Sequence, residues 1–408
     1  MATNTPPHPA LISLEQAREI IRAIPPLPRE DVPLADAVGL VTAEDIHALS
    51  DCPSVDSSLK DGYAVIADDI RNASNAHPVS LDIHGTVTAG DHAAGPHVRP
   101  GTAVRIMSGA ALPDGANAVL ASEFAEERGG RVHALRDAHA GRNILPRGAD
   151  VQLGSLVVET GTTLTPTHIG LLAAAGVAMA SVHRRPRVAI VATGSELVSP
   201  GERITSGKVA ASNLVTLAAE LRLAGITAET VVIHDDLAHL RQRLAPLIAQ
   251  HDAILTCGGV LDGDKDFTMQ AMNDLRVEPL FRRVRVGPGK GICLGRKDAT
   301  LICNLPGGPP SNHVAFILLA LPALRRLAGH DDPFAGRKQA TLTASVRGQT
   351  GWTQVVYARS DSNSPGMVTP LYDCGRLQAM AKADCLIELQ ENVTEILQGT
   401  TGTIWRIR

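Results

Sequence analysis

Residues 184–329 alternate between short apolar runs rich in β-branched residues and amphipathic stretches of helical periodicity, and this alternation limits the possible folds most strongly. Strands are predicted over residues 187–193, 227–234, 253–256 and 300–304. Helices are predicted near residues 214–224, 237–250 and 268–275, and from Ser311 onward. Strands and helices in strict alternation are typical of a parallel sheet covered on both faces. We therefore predict a central three-layer α/β domain.

The chain on either side of this domain has other patterns. A capping box formed by Ser13 and Gln16 predicts a helix that Pro25 and Pro26 end, and Thr165 with Pro166 predicts another that ends near Gly176. Short β-like runs fill residues 51–141, at 81–87, 103–107 and 118–122. Further runs follow residue 329, at 341–346, 354–359, 386–389 and 403–407, and no helix is predicted there. A terminal β-barrel or sandwich is expected.

Composition excludes several functional classes. The net charge of −4, with five Phe, three Tyr and two Trp in 408 residues, provides neither a basic surface nor stacking platforms for nucleic acid. The longest apolar run, residues 314–321, is far shorter than the ~20 residues of a membrane-spanning helix. Six cysteines without a Cys-x-x-Cys pair predict reduced, mostly buried thiols. Residues 1–10 lack the pattern of a secretory signal, and a cytoplasmic location is expected.

Four loops rich in glycine, acidic or hydroxyl residues follow the predicted parallel strands, whose carboxyl ends meet at one sheet edge. Their residues are Gly194, Ser195 and Glu196; His234, Asp235 and Asp236; Gly258, Gly259, Asp262, Asp264 and Asp266; and Pro306, Gly307, Gly308, Pro309 and Ser311. Backbone amides of Gly307 and Gly308 at a helix N-terminus suit a phosphate. We predict an anionic, phosphate-bearing ligand here, although a helix N-terminus without a ligand is the simpler alternative.

The carboxylates Glu196, Asp236 and Asp266 predict Mg²⁺ beside the phosphate, because Mg²⁺ binds a few carboxylates together with substrate oxygens. Helix capping is the alternative for Asp236 and Asp266, each of which precedes a predicted helix. Lys290, between two glycines, is either an anion ligand or a solvated surface lysine. The histidines show no metal-ligand spacing, and structural roles are expected for His234, His251 and His313.

These motifs together resemble the molybdopterin molybdenumtransferase family, of the MoeA and gephyrin E-domain type. The segments that carry the resemblance are SSLKDGYAV, VRIMSGAALPDGANAVLASE, GRNILPRGADVQLG, VATGSEL, CGGVLDGDKDF, GPGKGICLG, NLPGGPPS and ADCLIELQENVTEI. They occur in the family's order and span nearly the whole chain. Any one of them alone would be a weak signal.

The resemblance implies four domains and a homodimer. They are a mixed helical N-terminal domain (residues 1–50 and 142–183), a β-rich second domain (51–141), the α/β molybdopterin-binding domain (184–329) and a C-terminal β-barrel (330–408). It also implies that molybdate and Mg²⁺ act on adenylylated molybdopterin to give molybdenum cofactor and AMP. Expected partners are a molybdopterin adenylyltransferase and a molybdoenzyme chaperone.

By the same resemblance, a set of residues falls on the family's functional positions: Asp61, Ser108, Asp150, Glu196, Asp236, Asp266, Lys290, Pro306 and Pro309. Asp61, Ser108 and Asp150 are expected to complete the active cleft from the partner subunit. Ser108, Lys290 and Ser311 suit an oxyanion such as molybdate, because each donates hydrogen bonds.

Two loops depart from the family pattern. GPGKG replaces KPGKP, and LPGGPPS replaces LPGNPVS, so that Gly308 stands where the family has asparagine. Three smaller departures are Lys60, Ser195 and Phe267. Three hypotheses follow: a molybdate- or tungstate-dependent transferase, a non-catalytic carrier or assembly scaffold for the cofactor, and a pterin- or nucleotide-processing hydrolase. Fold alone does not decide among them.

Overall fold

The computed structural model describes residues 11–91, 95–233, 236–259, 267–372 and 375–407. The chain divides into two compact units. One is drawn from Met1–Glu30, Gly39–Ala43 and His183–Arg408, and the other from Asp31–Val38 and Glu44–Val182. The finer division into four domains stays a prediction.

The first unit contains the α/β domain, whose sheet has six strands. They are β1 (Val188–Thr193), β2 (Ala228–Ile233), β3 (Ala253–Cys257), β4 (Glu278–Arg282), β5 (Cys293–Lys297) and β6 (Thr300–Leu305). Their spatial order is β2-β1-β3-β6-β5-β4, and the first four are parallel. Strands β5 and β4, of which β4 lies at the sheet edge, are antiparallel additions that the sequence did not predict.

Helices cover both faces of this sheet. They are α1 (Ser212–Leu223), α2 (Leu237–Gln250), α3 (Phe267–Asp274) and α4 (Pro309–Ala315), which continues through a π-helical turn (Phe316–Ala320) into α5 (Leu321–Leu327). Alternate β1 residues face opposite layers: Ile190 shares a core with α1 and α4, and Val191 shares a core with α2 and α3. Strands buried on both faces explain the uninterrupted apolar runs. The predicted three-layer α/β domain is confirmed, but α4 begins at Pro309 rather than at Ser311.

The same unit ends in a closed five-stranded barrel, which confirms the predicted C-terminal β-barrel. Its strands are Arg337–Leu342, Thr353–Ser360, Met367–Pro370, Cys385–Leu389 and Thr401–Arg406, with a short pair Val346–Arg347 and Glu395–Ile396. The expectation that this region has no helix was wrong, because Arg376–Lys382 is helical. That helix has seven residues and Gly375 at its N-cap, with no side-chain cap, so no capping signal predicted it.

The helix Leu14–Arg22 has the predicted capping box, in which Ser13 and Gln16 each accept a hydrogen bond from the other's backbone N–H. Its Arg18 is buried and pairs with Glu388 of the barrel through N–O distances of 2.5 and 3.3 Å. The indole N–H of Trp405 donates to the same carboxylate at 2.6 Å. This buried charged cluster joins the start of the chain to its last domain.

The second unit contains a six-stranded half-barrel sheet. Its strands are Gly62–Val65, Ser74–Val87, Thr102–Ile106, Ala118–Ala121, Ala125–Arg128 and Arg131–Arg136. Two short antiparallel pairs are Ser57–Ser58 with Ile144–Leu145 and Ile46–His47 with Leu156–Val158. The helix Pro166–Ala174 begins as predicted, with Thr165 as its N-cap. Further short strands in the chain are Arg29–Pro33, Val41–Thr42, Met179–His183, Leu197–Val198 and Val209–Ala210.

In the parts of the chain that the structure describes, no helix is both long and apolar enough to span a membrane.

Candidate functional site

Three loops at the carboxyl ends of β1, β3 and β6 lie against one another. The Gly258 amide donates to the carbonyl of Leu305 at 3.0 Å. A Cβ built on Gly258 would lie 3.0 Å from the carbonyl oxygen of Thr193, and one on Gly307 would lie 3.6 Å from the Gly258 Cα. Gly258 also has a φ of +103°, which side chains rarely adopt. Glycine at position 258 is therefore required for the close approach of β1 and β3.

A cavity of about 470 Å³ opens above these loops, and we call it the glutamate cavity. It is lined by Glu196, Lys208, Asn213, Gly258, Gly307 and Pro309, together with apolar side chains that include Leu197, Ile204 and Leu377. The cavity thus combines one carboxylate and one ammonium group with mostly apolar walls. Such a mixture is typical of small-molecule sites.

The loop after β1 holds Glu196 by its backbone and by its packing. The Glu196 carbonyl accepts from the Val209 amide at 2.9 Å. Lys208 donates to the carbonyl of Ser195 at 2.6 Å and so ties the two sides of the cavity mouth together. A Cβ on Gly194 would lie 2.6 Å from both carboxylate oxygens of Glu196, so the glycine leaves room for that side chain to fold back.

A second cavity, of about 710 Å³, lies between the α/β domain and the barrel, and we call it the lysine cavity. It is lined by Lys290, Pro306, Gly307, Gly308, Ser311, Gln349, Trp352 and Gln354, among others. Gly307 lines both cavities, so they adjoin at this residue.

The N-terminus of α4 forms the wall between the cavities. Gly308 is its N-cap, and Pro309 and Pro310 occupy the first two helical positions. Neither proline has an N–H, so the first amide of the helix is that of Ser311. The next amide, of Asn312, already donates to the Gly308 carbonyl. The donors available to an anion on this helix end are therefore the amide and hydroxyl of Ser311 and the amides of the two glycines.

Side chains from α1 and α4 fix the loop itself. Asn213 donates to the Gly307 carbonyl at 2.8 Å, and the buried Asn312 donates to the Pro306 carbonyl at 2.9 Å. The two carbonyls are thereby turned toward protein donors. The arrangement leaves the loop's N–H groups as the polar groups available on its other side.

The predicted Mg²⁺ carboxylates do not all meet within the described residues. Glu196 faces the glutamate cavity. Asp236 lines neither cavity. Its carboxylate caps α2 by accepting from the His239 amide at 2.7 Å, which is the helix-capping alternative given for this residue from the sequence. Asp266 lies outside the described residues, as do His234, Asp235, Asp262 and Asp264. Within the described ranges, no group of three or more His, Cys, Asp or Glu side chains could hold a metal ion.

In the second unit, Asp61 and Ser108 lie together. The Asp61 carboxylate accepts from the Ser108 amide at 2.7 Å. Hydrogen bonds from the backbone and side chain of Ser108 lower the pKa of Asp61, so it is ionised at neutral pH. Both residues are exposed, as expected for groups that meet a ligand.

Asp150, also exposed, follows a loop that two other aspartates hold. The Arg147 side chain pairs with Asp51 at 2.5 Å, and its amide donates to Asp56 at 2.7 Å. The Asp150 amide donates to the Cys52 carbonyl at 2.9 Å. These contacts fix the backbone from which the Asp150 carboxylate projects.

The histidines and thiols near the site have structural surroundings. His313 is buried and contacts Tyr357 and Glu220, and His251 contacts the Leu247 carbonyl. Cys257 lines the glutamate cavity. Burial raises the pKa of its thiol to about 12, and a hydrogen bond with Asn312, which lowers the pKa, offsets only part of this effect. It stays protonated and is a poor nucleophile. Five of the six cysteines are described; none of these five is in a disulfide, and four are buried, as the sequence predicted for most of them.

Several residues of the two cavities were not predicted. Lys208 lies between β1 and α1, where Gly207 before it was the available signal, and Asn213 is the second residue of α1. Gln349, Trp352 and Gln354 come from the barrel and reach the lysine cavity only through tertiary folding. Of the predicted residues, Gly194, Ser195, Gly259 and Asp236 line neither cavity.

Family models match three successive parts of the chain. Residues 12–176 match the MoeA N-terminal region (domain I and II), residues 189–326 match a probable molybdopterin binding domain, and residues 339–405 match the MoeA C-terminal region (domain IV). The three matches occur in the order that the sequence motifs predicted.

Similar proteins match over nearly the full length. Molybdopterin molybdenumtransferase 2 of Mycobacterium tuberculosis is 35% identical over 95% of this chain and 96% of its own length. Molybdopterin molybdenumtransferase of Staphylococcus aureus is 29% identical over 92% of this chain and 90% of its own length. Crystal structures of a molybdopterin biosynthesis MoeA protein from Pyrococcus horikoshii match with TM-scores of 0.82 and 0.80, at 29% and 27% identity. The first match covers 98% of this chain and 99% of the crystallised chain, and the second covers 97% of this chain and 100% of its crystallised chain.

The three family regions, the full-length relative at 35% identity and the matching architecture agree with the motifs of the sequence. The chain belongs to the molybdopterin molybdenumtransferase (MoeA) family of transferases in molybdenum cofactor biosynthesis.

Proposed function

We propose that this protein inserts molybdate into adenylylated molybdopterin and releases AMP with the help of Mg²⁺. The observation that supports this most strongly is the pair of adjoining cavities at Gly307, one with a carboxylate and the other with a lysine beside a helix N-terminus. A ligand that joins two ring systems through phosphates, together with an oxyanion, needs such neighbouring sites. The names of the relatives support the same reaction.

The lysine cavity is the proposed oxyanion site. Lys290 supplies a positive charge, and Ser311 and the Gly307 and Gly308 amides supply hydrogen-bond donors. Hydrogen bonds to a charged acceptor are the stronger class, so this donor set favours a dianion such as molybdate. The proposed work of the protein is positioning and charge neutralisation, since the metal bonds form to sulfur atoms of the pterin.

Mg²⁺ is proposed to act with the substrate's phosphates. Glu196 fits this use, because Mg²⁺ commonly takes only one or two protein carboxylates plus phosphate oxygens. When bound, the ion would neutralise charge that develops on the phosphoanhydride. Asp266 remains a proposed second ligand. Asp236 is the weaker candidate, because its carboxylate already caps α2.

Asp61, Ser108 and Asp150 are proposed to act in the same reaction, contributed by the partner subunit of a homodimer. Their exposure and the ionised state of Asp61 support such a role. Light scattering at micromolar concentration tests the homodimer, and a monomer there would exclude it.

The reaction is tested by measuring AMP release from adenylylated molybdopterin and Mg²⁺ with molybdate, with tungstate and without either oxyanion. Release that depends on an oxyanion is expected. Asp61→Ala should abolish it. Asp69→Ala is the matched control, because the Asp69 carboxylate also accepts a backbone N–H, from Gly101 at 2.8 Å, yet lies outside the family motif. No release by the wild type with either oxyanion would refute the proposal.

A second candidate function is a non-catalytic carrier or scaffold for the cofactor. The altered loops GPGKG and LPGGPPS favour it, because Gly308 removes a side-chain donor and acceptor from the lysine cavity. Tight pterin binding without oxyanion-dependent AMP release, together with stable association with a molybdoenzyme or its chaperone, would favour this function instead.

A further inference from the structure

The barrel holds the loop that presents Lys290. The short strand Val286–Gly287 in this loop pairs with barrel strand Thr353–Ser360, and the Thr353 amide donates to the Arg285 carbonyl at 3.0 Å. Two guanidinium nitrogens of Arg285 contact one carboxylate oxygen of Glu391, both at 3.1 Å. The α/β domain contributes the lysine, but the barrel fixes the position of its loop.

The backbone of Lys290 is also fixed from within the loop, because its carbonyl accepts from the Val284 amide at 3.1 Å. The Lys290 side chain is exposed, and its Nζ lies 5.2 Å from the ring centroid of Trp352. Trp352 is half-buried and lines the same cavity, and its amide donates to the Gln349 carbonyl at 3.1 Å. The ring is therefore fixed beside the ammonium in the lysine cavity.

A tryptophan ring face attracts a cation and repels an anion, since the face carries the negative part of the ring quadrupole. An oxyanion in the lysine cavity would thus avoid the ring and approach the ammonium from its other side. Holding the ammonium in place before binding also reduces the side-chain entropy lost when the anion arrives. The ring can therefore favour anion binding only through the lysine.

We propose that Trp352 is a positioning residue that presents Lys290 to the oxyanion. This inference rests on the proposed function and assigns to the barrel a part in oxyanion affinity. An exposed cation–π contact corresponds to about twofold to fivefold in affinity.

The experiment titrates full-length protein with sodium molybdate by calorimetry. Trp352→Leu keeps an apolar side chain without a ring, and Trp352→Phe keeps a ring face. Leucine should weaken molybdate binding about twofold to fivefold, and phenylalanine should restore most of the loss. In a Lys290→Ala background, Trp352→Leu should not weaken binding further, because the ring favours the anion only through the lysine.

Four results would overturn the inference. Trp352→Leu could leave molybdate affinity unchanged, or it could weaken affinity by the same factor with and without Lys290. It could also spare molybdate and weaken only adenylylated molybdopterin, which would make the ring a direct ligand contact. If Lys290→Ala itself leaves molybdate affinity unchanged, the oxyanion role of Lys290 fails and this inference with it, whereas AMP release by the wild type would still support the transferase.

Discussion

Replacing Gly308 with asparagine should strengthen oxyanion binding. Gly308 has φ −70° and ψ 124°, a conformation that any residue adopts, and a Cβ at this position would meet nothing within 4 Å. Glycine is therefore not required here by backbone geometry. The introduced asparagine side chain would extend from the N-cap of α4 beside a cavity of about 710 Å³ without displacing a neighbour.

Two effects set the size of the change. Asparagine is a better N-cap than glycine by a few tenths of a kcal/mol, because its oxygen can accept from the Ser311 amide. If the asparagine oxygen accepts from the Ser311 amide, the anion loses that donor. The asparagine NH₂ group then offers the anion up to two donors in its place. A net gain of one hydrogen bond is worth about 1 kcal/mol, or roughly fivefold in affinity.

The assay is calorimetric titration of Gly308→Asn and the wild type with molybdate and with tungstate, and Gly308→Ala is the size control without a donor. Equal affinities for the asparagine and alanine variants at position 308 would refute the reasoning.

Three further predictions concern stability. Gly258→Ala should lower the thermal unfolding midpoint, since φ +103° and a Cβ 3.0 Å from the Thr193 carbonyl together cost about 1–3 kcal/mol, and an unchanged midpoint would contradict this. Arg18→Met should destabilise by about 1–3 kcal/mol, because it removes one of the two arginines that pair with the buried Glu388 while Arg337 remains, and adding Glu388→Gln should recover part of the loss in denaturant unfolding. Burial disfavours ionised Asp252, but hydrogen bonds from two arginines outweigh it and lower its pKa, so its stabilisation is present above about pH 4 and lost as pH falls. The difference in midpoint between wild type and Asp252→Asn should therefore shrink below about pH 4, and a constant difference would argue against the ion pair.

The elements that sequence predicted well are those whose signal is local. Strand β1 is buried on both faces and so reads as a continuous apolar run, and Ser13 and Thr165 cap their helices with their own side chains. Strand β5 was missed because its neighbour GPGKG reads as a loop and its own residues alternate weakly. The helix Arg376–Lys382 was missed because no side chain caps it.

The residues of the candidate site were also predicted where their signal is local and missed where it is not. Gly258 and Gly307 were predicted because glycine after a parallel strand has a known physical use, and the structure places them in contact. Trp352 follows Lys290 by 62 positions in the chain and carries no local signal, so only the folded barrel brings the two together. Asp236 shows the converse limit, since a carboxylate before a helix fits a cap and a metal ligand equally well in sequence.

The most direct measurement counts both products of one reaction. Purified protein is mixed with adenylylated molybdopterin, Mg²⁺ and molybdate, and the AMP released and the molybdenum retained in the pterin are quantified in the same sample. The proposed transferase predicts equal amounts of the two, and neither product when the oxyanion is left out. AMP release without retained molybdenum would indicate a hydrolase and contradict the account.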